Sequence, residues 1–508
     1  MEKKENHKQR AYLNSVTSIL DQVVRQLIGF FTSPLIFNGL GSALYGVYQI
    51  VLDLSGYAGL ADAQSTQVLK WTLAKNRDTV SVEDLKSEIT TGLLMVFLIA
   101  PFILLVGGVI SWFSPSIISI DEKYHDLVRL ASAIVIFSII VDKLSNFFES
   151  ILRGLNLGFK GMGYRSILII FGGGLKVFVV KMDFGLIGLV SAQVFLGFLT
   201  TFVFYYLVKK NLPWFGLGKT SKEKILSYTK LSGWFIATKF AGMALFHSEK
   251  ILLGYLIGPE IVSIYVLTMF TSTTMKSFLD SVISGIIPGI GTFFGKGQFD
   301  KIILSKDLIF NLIWFISFSI GITVLLFNNS FLSLWVGPGN YAGSFENLLI
   351  LLIAIQYVLF FTTGNFINVT LDLKTKVYLT GMSALISISL AFLLVPNYQI
   401  LGLGISVLFG RSVMSVGFPI ILNKKLGLKS ISFNFQDFRI VVISIIGLTA
   451  AAYLQDFIIV ESWVLLIAFT GSSFVFSSML FWLICFNSNQ RNQLILRFKS
   501  IKFFKVKD

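Results

Sequence analysis

Charged side chains inside long apolar runs are the places where this 508-residue sequence could do chemistry. Each such charge is costly in a bilayer interior unless it is paired or hydrated. Arg25 stands near the centre of the first run, with Asp21 one turn earlier on the same helical face. Asp53 is near the centre of the second run, and Asp142 and Lys143 near that of the fourth. Lys176 lies in the outer half of the fifth. His247, Glu249 and Lys250 cluster in the seventh, Lys276 and Asp280 lie in the eighth, and Arg411 is central in the twelfth. Asp21 with Arg25, and Lys276 with Asp280, have the spacing of in-helix salt bridges. Pairing for structure alone accounts for any single pair. It accounts less well for the set, because the third, sixth, ninth, eleventh, thirteenth and fourteenth runs carry no such charge. That segregation points to a polar cavity lined by selected helices, the others facing lipid. The cations Arg25, Lys143, Lys176, Lys250, Lys276 and Arg411 suit an anionic substrate, Arg gripping phosphate oxygens bidentately and Lys acting as a point charge. The carboxylates Asp21, Asp53, Asp142 and Glu249 are candidates for a coupling proton or sodium ion. His247 could relay protons, although a single His in a helix more often serves packing.

The elements that must position these residues are membrane spans. Hydrophobic residues make up 54% of the chain and charged residues 14%, well under the soluble norm of about 25%. Mean hydropathy is +0.77, and the apolar runs reach roughly 18–25 residues. These figures exclude a soluble globular protein, a disordered chain and a nucleic-acid-binding domain, despite the net charge of +15. About fourteen spans are expected in an all-α polytopic fold. They cover residues 13–37, 43–67, 90–112, 128–151, 162–180, 184–207 and 232–256, then 261–286, 308–327, 345–368, 377–395, 399–422, 438–457 and 462–486. Lys and Arg gather in alternate gaps and in both tails, so the positive-inside rule places both termini in the cytoplasm, in agreement with an even span count. The basic N-terminal tail leads into the first span without a small-residue cleavage site.

The chain also repeats itself at an offset of about 214–217 residues. Gly41–Tyr48 matches Gly258–Tyr265 in spacing, Leu155–Lys160 matches Leu371–Lys376, Gly185–Leu189 matches Gln399–Leu403, and Lys209-Lys210 matches Lys424-Lys425. About six spans per repeat gives both halves the same orientation, a parallel repeat whose substrate would lie near the midplane. The domains expected are an N-terminal six-helix lobe (1–208), a basic cytoplasmic linker (209–231) forming a surface helix, a C-terminal six-helix lobe (232–430), and two extra helices with a basic tail (431–508).

Other motifs read as structure. Gly172-Gly173-Gly174 lacks the Lys-Ser/Thr of a P-loop and sits inside a span, where close helix packing or a bend is its use. Trp71, Trp112, Trp335 and Trp463 fall near span ends, as an interfacial belt would. The single Cys485 excludes an internal disulfide, and His7, His125 and His247 are too scattered for a zinc site. No nucleophile elbow or HExxH is present.

Three stretches carry a family resemblance. Pro34-Leu35-Ile36, Leu40-Gly41 and Tyr45-Gly46 are similar to the first two spans of the polysaccharide transporters. Glu249-Lys250-Ile251-Leu252-Leu253-Gly254, followed by Gly258 and Tyr265, resembles that family's acidic residue, apolar run, Gly and Tyr. Arg153-Gly154 after the fourth span is also similar. The family comprises flippases of lipid-linked oligosaccharides, including O-antigen-type units, within the multidrug/oligosaccharidyl-lipid/polysaccharide exporter superfamily. Glu249 departs from the family's usual Asp, and the segment after Asp53 departs from its Asp-Leu-Gly pattern. The resemblance implies two six-helix lobes forming a V around a central cationic cavity, alternating access, and no cofactor. It implies an undecaprenyl-diphosphate-linked glycan repeat unit as substrate, with Arg25, Lys250 and Arg411 holding the diphosphate. It further implies a bacterial cytoplasmic membrane location and, as partners, a polysaccharide polymerase and other glycan-assembly proteins. The competing readings are a proton- or sodium-coupled multidrug/cation antiporter, which would favour acidic and aromatic cavity walls, and a membrane glycan-assembly enzyme, which would need larger outer loops.

Overall fold

The computed structural model describes residues 7–59, 65–76, 80–369, 373–428, 435–488 and 490–491. Among these residues there are fifteen α-helices, two short 3-10 turns and no strand. The helices are α1 (His7–Ala58), α2 (Ser65–Asn76), α3 (Val82–Ile118), α4 (His125–Gly154), α5 (Gly158–Lys181), α6 (Gly185–Asn211), α7 (Lys222–Phe246) and α8 (Ser248–Leu256). They continue with α9 (Pro259–Thr268), α10 (Phe270–Gly295), α11 (Phe299–Trp335), α12 (Ser344–Val369), α13 (Leu373–Lys425), α14 (Phe435–Leu454) and α15 (Trp463–Ile484). Nine helices among the described residues are long and apolar enough to cross a membrane. The protein is therefore an all-α, multi-pass membrane protein.

Two pairs of expected spans are joined without a loop. The first and second form α1, broken at Gly41 (φ 76°). The eleventh and twelfth form α13, broken at Gln399 (φ 47°), three residues after Pro396. Left-handed backbone reverses the carbonyl direction in one residue, which Gly tolerates and other residues adopt at a cost. These breaks sit on the sequence repeat: Gly258 (φ 134°) stands at the repeat equivalent of Gly41, and Gly185 (φ 56°) at that of Gln399. The repeat partner of Asn156 (φ 59°) is Asp372, which lies outside the described residues.

Two other expected spans are interrupted. The run 232–256 breaks at His247 between α7 and α8. The Met243 carbonyl accepts from Tyr57 Oη (3.2 Å) and the Ala244 carbonyl from Ser248 Oγ (2.7 Å), so side chains take up the last carbonyls of α7. The run 261–286 breaks at Met269, where the Asn328 amide donates to the Thr268 carbonyl (2.9 Å) in place of a continued helical bond.

Within the expected linker, 209–211 finish α6 and 222–231 begin α7, and only the stretch between is non-helical. After Asn211 the chain runs without helix to Ser221, because Pro213 lacks an N–H donor and Gly216 and Gly218 favour irregular backbone. It is fastened to the N-terminal end of α3, with Gly218 N–H donating to Thr90 Oγ1 (2.8 Å) and Tyr228 Oη to Glu88 (2.9 Å). Lys224 Nζ completes the fastening at Ser87 Oγ (3.0 Å). Ser221 and Ser81 cap α7 and α3 by accepting from the N–H groups of Lys224 and Asp84.

The chain divides into two compact units, Met1–Ser263 and Ile264–Asp508. In the first, Leu69, Leu73, Ile89, Phe147, Ile151 and Phe204 build a core joining α2, α3, α4 and α6. In the second, Phe318, Ile440, Phe481 and Phe486 pack α11 against α14 and α15, with Cys485 buried among them. Trp335 departs from the interfacial role expected of it. It is 7% exposed and stacks on Phe331 at 5.1 Å.

Candidate functional site

The first unit contains an open cavity of about 550 Å³ lined by α1, α4, α5 and α6. Glycine spacing brings those helices together. A Cβ at Gly173 would meet Ile28 and Thr32 of α1, and one at Gly172 would meet Leu196 of α6. Gly172 and Gly173 are thus packing positions, as their place inside a span suggested, whereas a Cβ at Gly174 would meet nothing within 4 Å. Three cations line the cavity, Arg25, Arg165 and Lys176, with two carboxylates, Asp142 and Glu149. Ser145, Asn146, Thr32 and Thr200 add neutral polar groups.

The charges are coupled across helices. Arg25 Nε lies 3.1 Å from Asp21 Oδ2, the in-helix pair the spacing implied. Arg165 Nε comes within 3.9 Å of the same oxygen, and its Nη1 donates to both Glu149 oxygens at 2.6 Å. Arg153, one turn along α4, also pairs with Glu149. Lys70 on α2 is near this group, and burial, then Arg153, hold its ammonium below the usual lysine range, with Glu149 partly offsetting them. The lining carries three cations and two carboxylates, with Asp21 a further carboxylate held to Arg25 and Arg165 at its edge, and guanidinium groups match phosphate or carboxylate oxygens geometrically.

A second cluster joins the later arm of α1 to the α7–α8 break. Asp53 Oδ1 is 2.9 Å from His247 Nδ1, and Asp53 Oδ2 is 3.0 Å from Lys250 Nζ. Tyr57, one turn beyond Asp53, lies 2.8 Å from Ser248 Oγ. Glu249 is buried in the first turn of α8. In the second unit, Lys276 Nζ sits 3.8 Å from the Tyr357 ring centroid, a cation–π arrangement. Asp280 and Arg411 are both close enough to Tyr357 to act on it electrostatically. Arg411 itself is buried.

The expected residues therefore divide among three places. Arg25, Lys176 and Asp142 meet in the cavity, with Asp21 at its edge through Arg25 and Arg165. Lys143 follows Asp142 on α4, outside the lining. Asp53 and Lys250, one expected to bind a coupling ion and the other substrate, are paired with each other. Lys276 and Arg411 belong to the second unit. Sequence reasoning missed Arg165 and Glu149 because both lie at the margins of their apolar runs. A signal was there: Glu149 is seven residues after Asp142 and Lys176 eleven after Arg165, spacings that return to one helical face. Among the described residues no three His, Cys, Asp or Glu side chains converge as a metal site would need.

Helices α1 to α15 define a polytopic membrane protein, with a polar cavity lined by charged side chains in its first unit. The polysaccharide biosynthesis protein family matches residues 13–294, more than half of the chain, and the protein belongs to that family. The chain is similar to a candidate O-antigen transporter of Shigella flexneri, 22% identical over 351 residues, which cover 68% of this chain and 81% of that one. Among solved structures it resembles the lipid II flippase MurJ in an inward closed conformation, with a TM-score of 0.67, 15% identity, and 93% of this chain and 99% of that one covered. It also resembles a MOP-superfamily transporter from Pyrococcus furiosus, with a TM-score of 0.57, 16% identity, and 84% and 97% covered. The fold is that of the MOP superfamily.

Proposed function

We propose that this protein moves an undecaprenyl-diphosphate-linked oligosaccharide repeat unit from the cytoplasmic to the outer leaflet by alternating access, for cell-surface polysaccharide assembly. The observation that carries this reading is the cavity of about 550 Å³ lined by Arg25, Arg165 and Lys176. A diphosphate needs such clustered cations, whose N–H groups form charge-assisted hydrogen bonds with its oxygens. Membership of the polysaccharide biosynthesis family and likeness to a candidate O-antigen transporter support the same substrate class. The helices can be counted as fourteen crossings, which fits the same reading. If α1 and α13 each count as two crossings, α7 with α8 as one, and α9 with α10 as one, the helices give two six-span repeats and two further spans, α14 and α15. Both termini then lie in the cytoplasm of a bacterial cell. The positive-φ positions at Gly41 and Gly258, and at Gly185 and Gln399, fit a parallel repeat.

In this mechanism Arg25, Arg165 and Lys176 hold the diphosphate, and the prenyl chain stays in the bilayer. Lys143 and Lys250 lie outside the lining of that cavity, Lys250 paired with Asp53, and Lys276 and Arg411 belong to the second unit. Asp53, paired with Lys250 and beside His247, is the site for a coupling proton. A multidrug/cation antiporter would need carboxylates in excess, and this cavity has the reverse.

The test is a deletion in the host, followed by assay of lipid-linked intermediates and surface polysaccharide. Accumulated undecaprenyl-diphosphate-glycan with lost surface glycan is expected. The wild-type chain should restore export, and an Arg25→Gln/Lys176→Gln variant present at normal level in the membrane should not. Unchanged intermediates in a host without a second flippase would overturn the reading.

A further inference from the structure

Glu149 is 8% exposed, and its carboxylate engages two guanidinium groups at once, Arg153 on its own helix and Arg165 across on α5. Asp21 also engages Arg25 (3.1 Å) and Arg165 (3.9 Å), so two carboxylates share three arginines, and Arg165 is the one common to both. Of the two on Glu149, Arg165 lines the cavity, and Arg153 reaches Glu149 from outside the lining. A simple structural pair would need only one arginine. Two make sense if one of them leaves.

We infer that Glu149 is a positioning residue that stores Arg165 as an exchangeable ligand for a diphosphate. An entering diphosphate draws Arg165 off Glu149, and Arg153 remains to neutralise the carboxylate. Each carboxylate keeps an arginine in both states: Arg165 is shared by Asp21 and Glu149 when the cavity is empty, and Asp21 keeps Arg25 and Glu149 keeps Arg153 when Arg165 turns to phosphate oxygens. With a single arginine, loading would strand a buried carboxylate, which is strongly unfavourable. The exchange also assists release, because Glu149 competes to take Arg165 back. The inference rests on the lipid-linked glycan reading and adds a residue that controls how tightly the head group is held.

The experiment measures binding of radiolabelled undecaprenyl diphosphate to the full chain in nanodiscs. Arg165→Gln removes one charge-assisted hydrogen-bond donor and is expected to weaken binding by about tenfold or more. Glu149→Gln releases Arg165 from its competitor and is expected to tighten binding by about threefold or more while slowing export in cells. The double variant should bind like Arg165→Gln alone, since without Arg165 the Glu149 charge has nothing to withhold. Weakened or unchanged binding by Glu149→Gln would overturn the inference. Should that variant not fold, Arg153→Gln decides: it leaves Arg165 as the sole partner of Glu149, so binding falls severalfold and Arg153→Lys restores it, and unaltered binding overturns the inference equally. Failure of the wild-type chain to bind undecaprenyl diphosphate would overturn the functional reading itself. Binding indifferent to Glu149 would remove only this inference.

Discussion

Asp53 faces two partners at once, His247 and Lys250, and its own side chain is 9% exposed against 20% for Lys250. At such burial the attraction is little screened, but neither charge can easily be left alone. Removing one partner of a buried pair costs about 3–5 kcal/mol, mostly the penalty of the stranded charge. We expect Lys250→Met and Asp53→Asn each to lower the melting temperature in detergent, and the double variant to recover much of the loss. Strictly additive losses, measured by scanning fluorimetry, would show that the two residues do not act as a pair. This contact also marks where the sequence stops being readable. The Asp21–Arg25 pair was legible because both residues lie on one helix four positions apart. Asp53 and Lys250 were each visible as costly charges, but their pairing depends on how α1 lies against α8. Roles assigned by sign alone, cations to substrate and carboxylates to ions, therefore separated two groups that touch.

Helices show the same division between local and tertiary information. The apolar runs appear as helices because hydropathy over a bilayer's thickness is a local property. The breaks at His247 and Met269 were not legible, since they arise from side chains distant in sequence, Tyr57 in one case and Asn328 in the other. The linker's irregular path was partly legible in Pro213, but its fastening to α3 through Thr90 and Glu88 was not. Gly46 is a case where a sequence landmark has a packing cause. A Cβ there would run into the Pro259 carbonyl at the start of α9, whereas a Cβ at Gly108 on α3 would meet nothing within 4 Å. Forcing a larger group into such a contact costs about 1–3 kcal/mol. Gly46→Val should accordingly lower the melting temperature and the amount of folded protein recovered, with Gly108→Val close to wild type. Equal effects from the two would show that loss of glycine as such, rather than the approach of α1 to α9, is responsible.

At the scale of the whole chain, the direction of transport depends on which end of the cavity faces the cytoplasm. Glu149 and Arg165 lie near the end of α4 and the start of α5, so both belong to the membrane face that holds the α4–α5 connection. Three helices, α4, α5 and α6, separate the α3–α4 connection from the linker after α6. If each crosses once, Lys123 and Lys219 must lie on opposite sides, with Lys219 in the cytoplasm by the charge rule. The chain has one cysteine, Cys485, and it is buried, which allows labelling on a Cys485→Ser background. Lys219→Cys should react with an impermeant maleimide only in inside-out vesicles, and Lys123→Cys only in right-side-out cells. Labelling of both from one side would mean that one of the three helices does not cross. Exchange of the two sides would place the Glu149–Arg165 pair at the outer face, where it could not receive a substrate made in the cytoplasm, and would reverse the sense of transport.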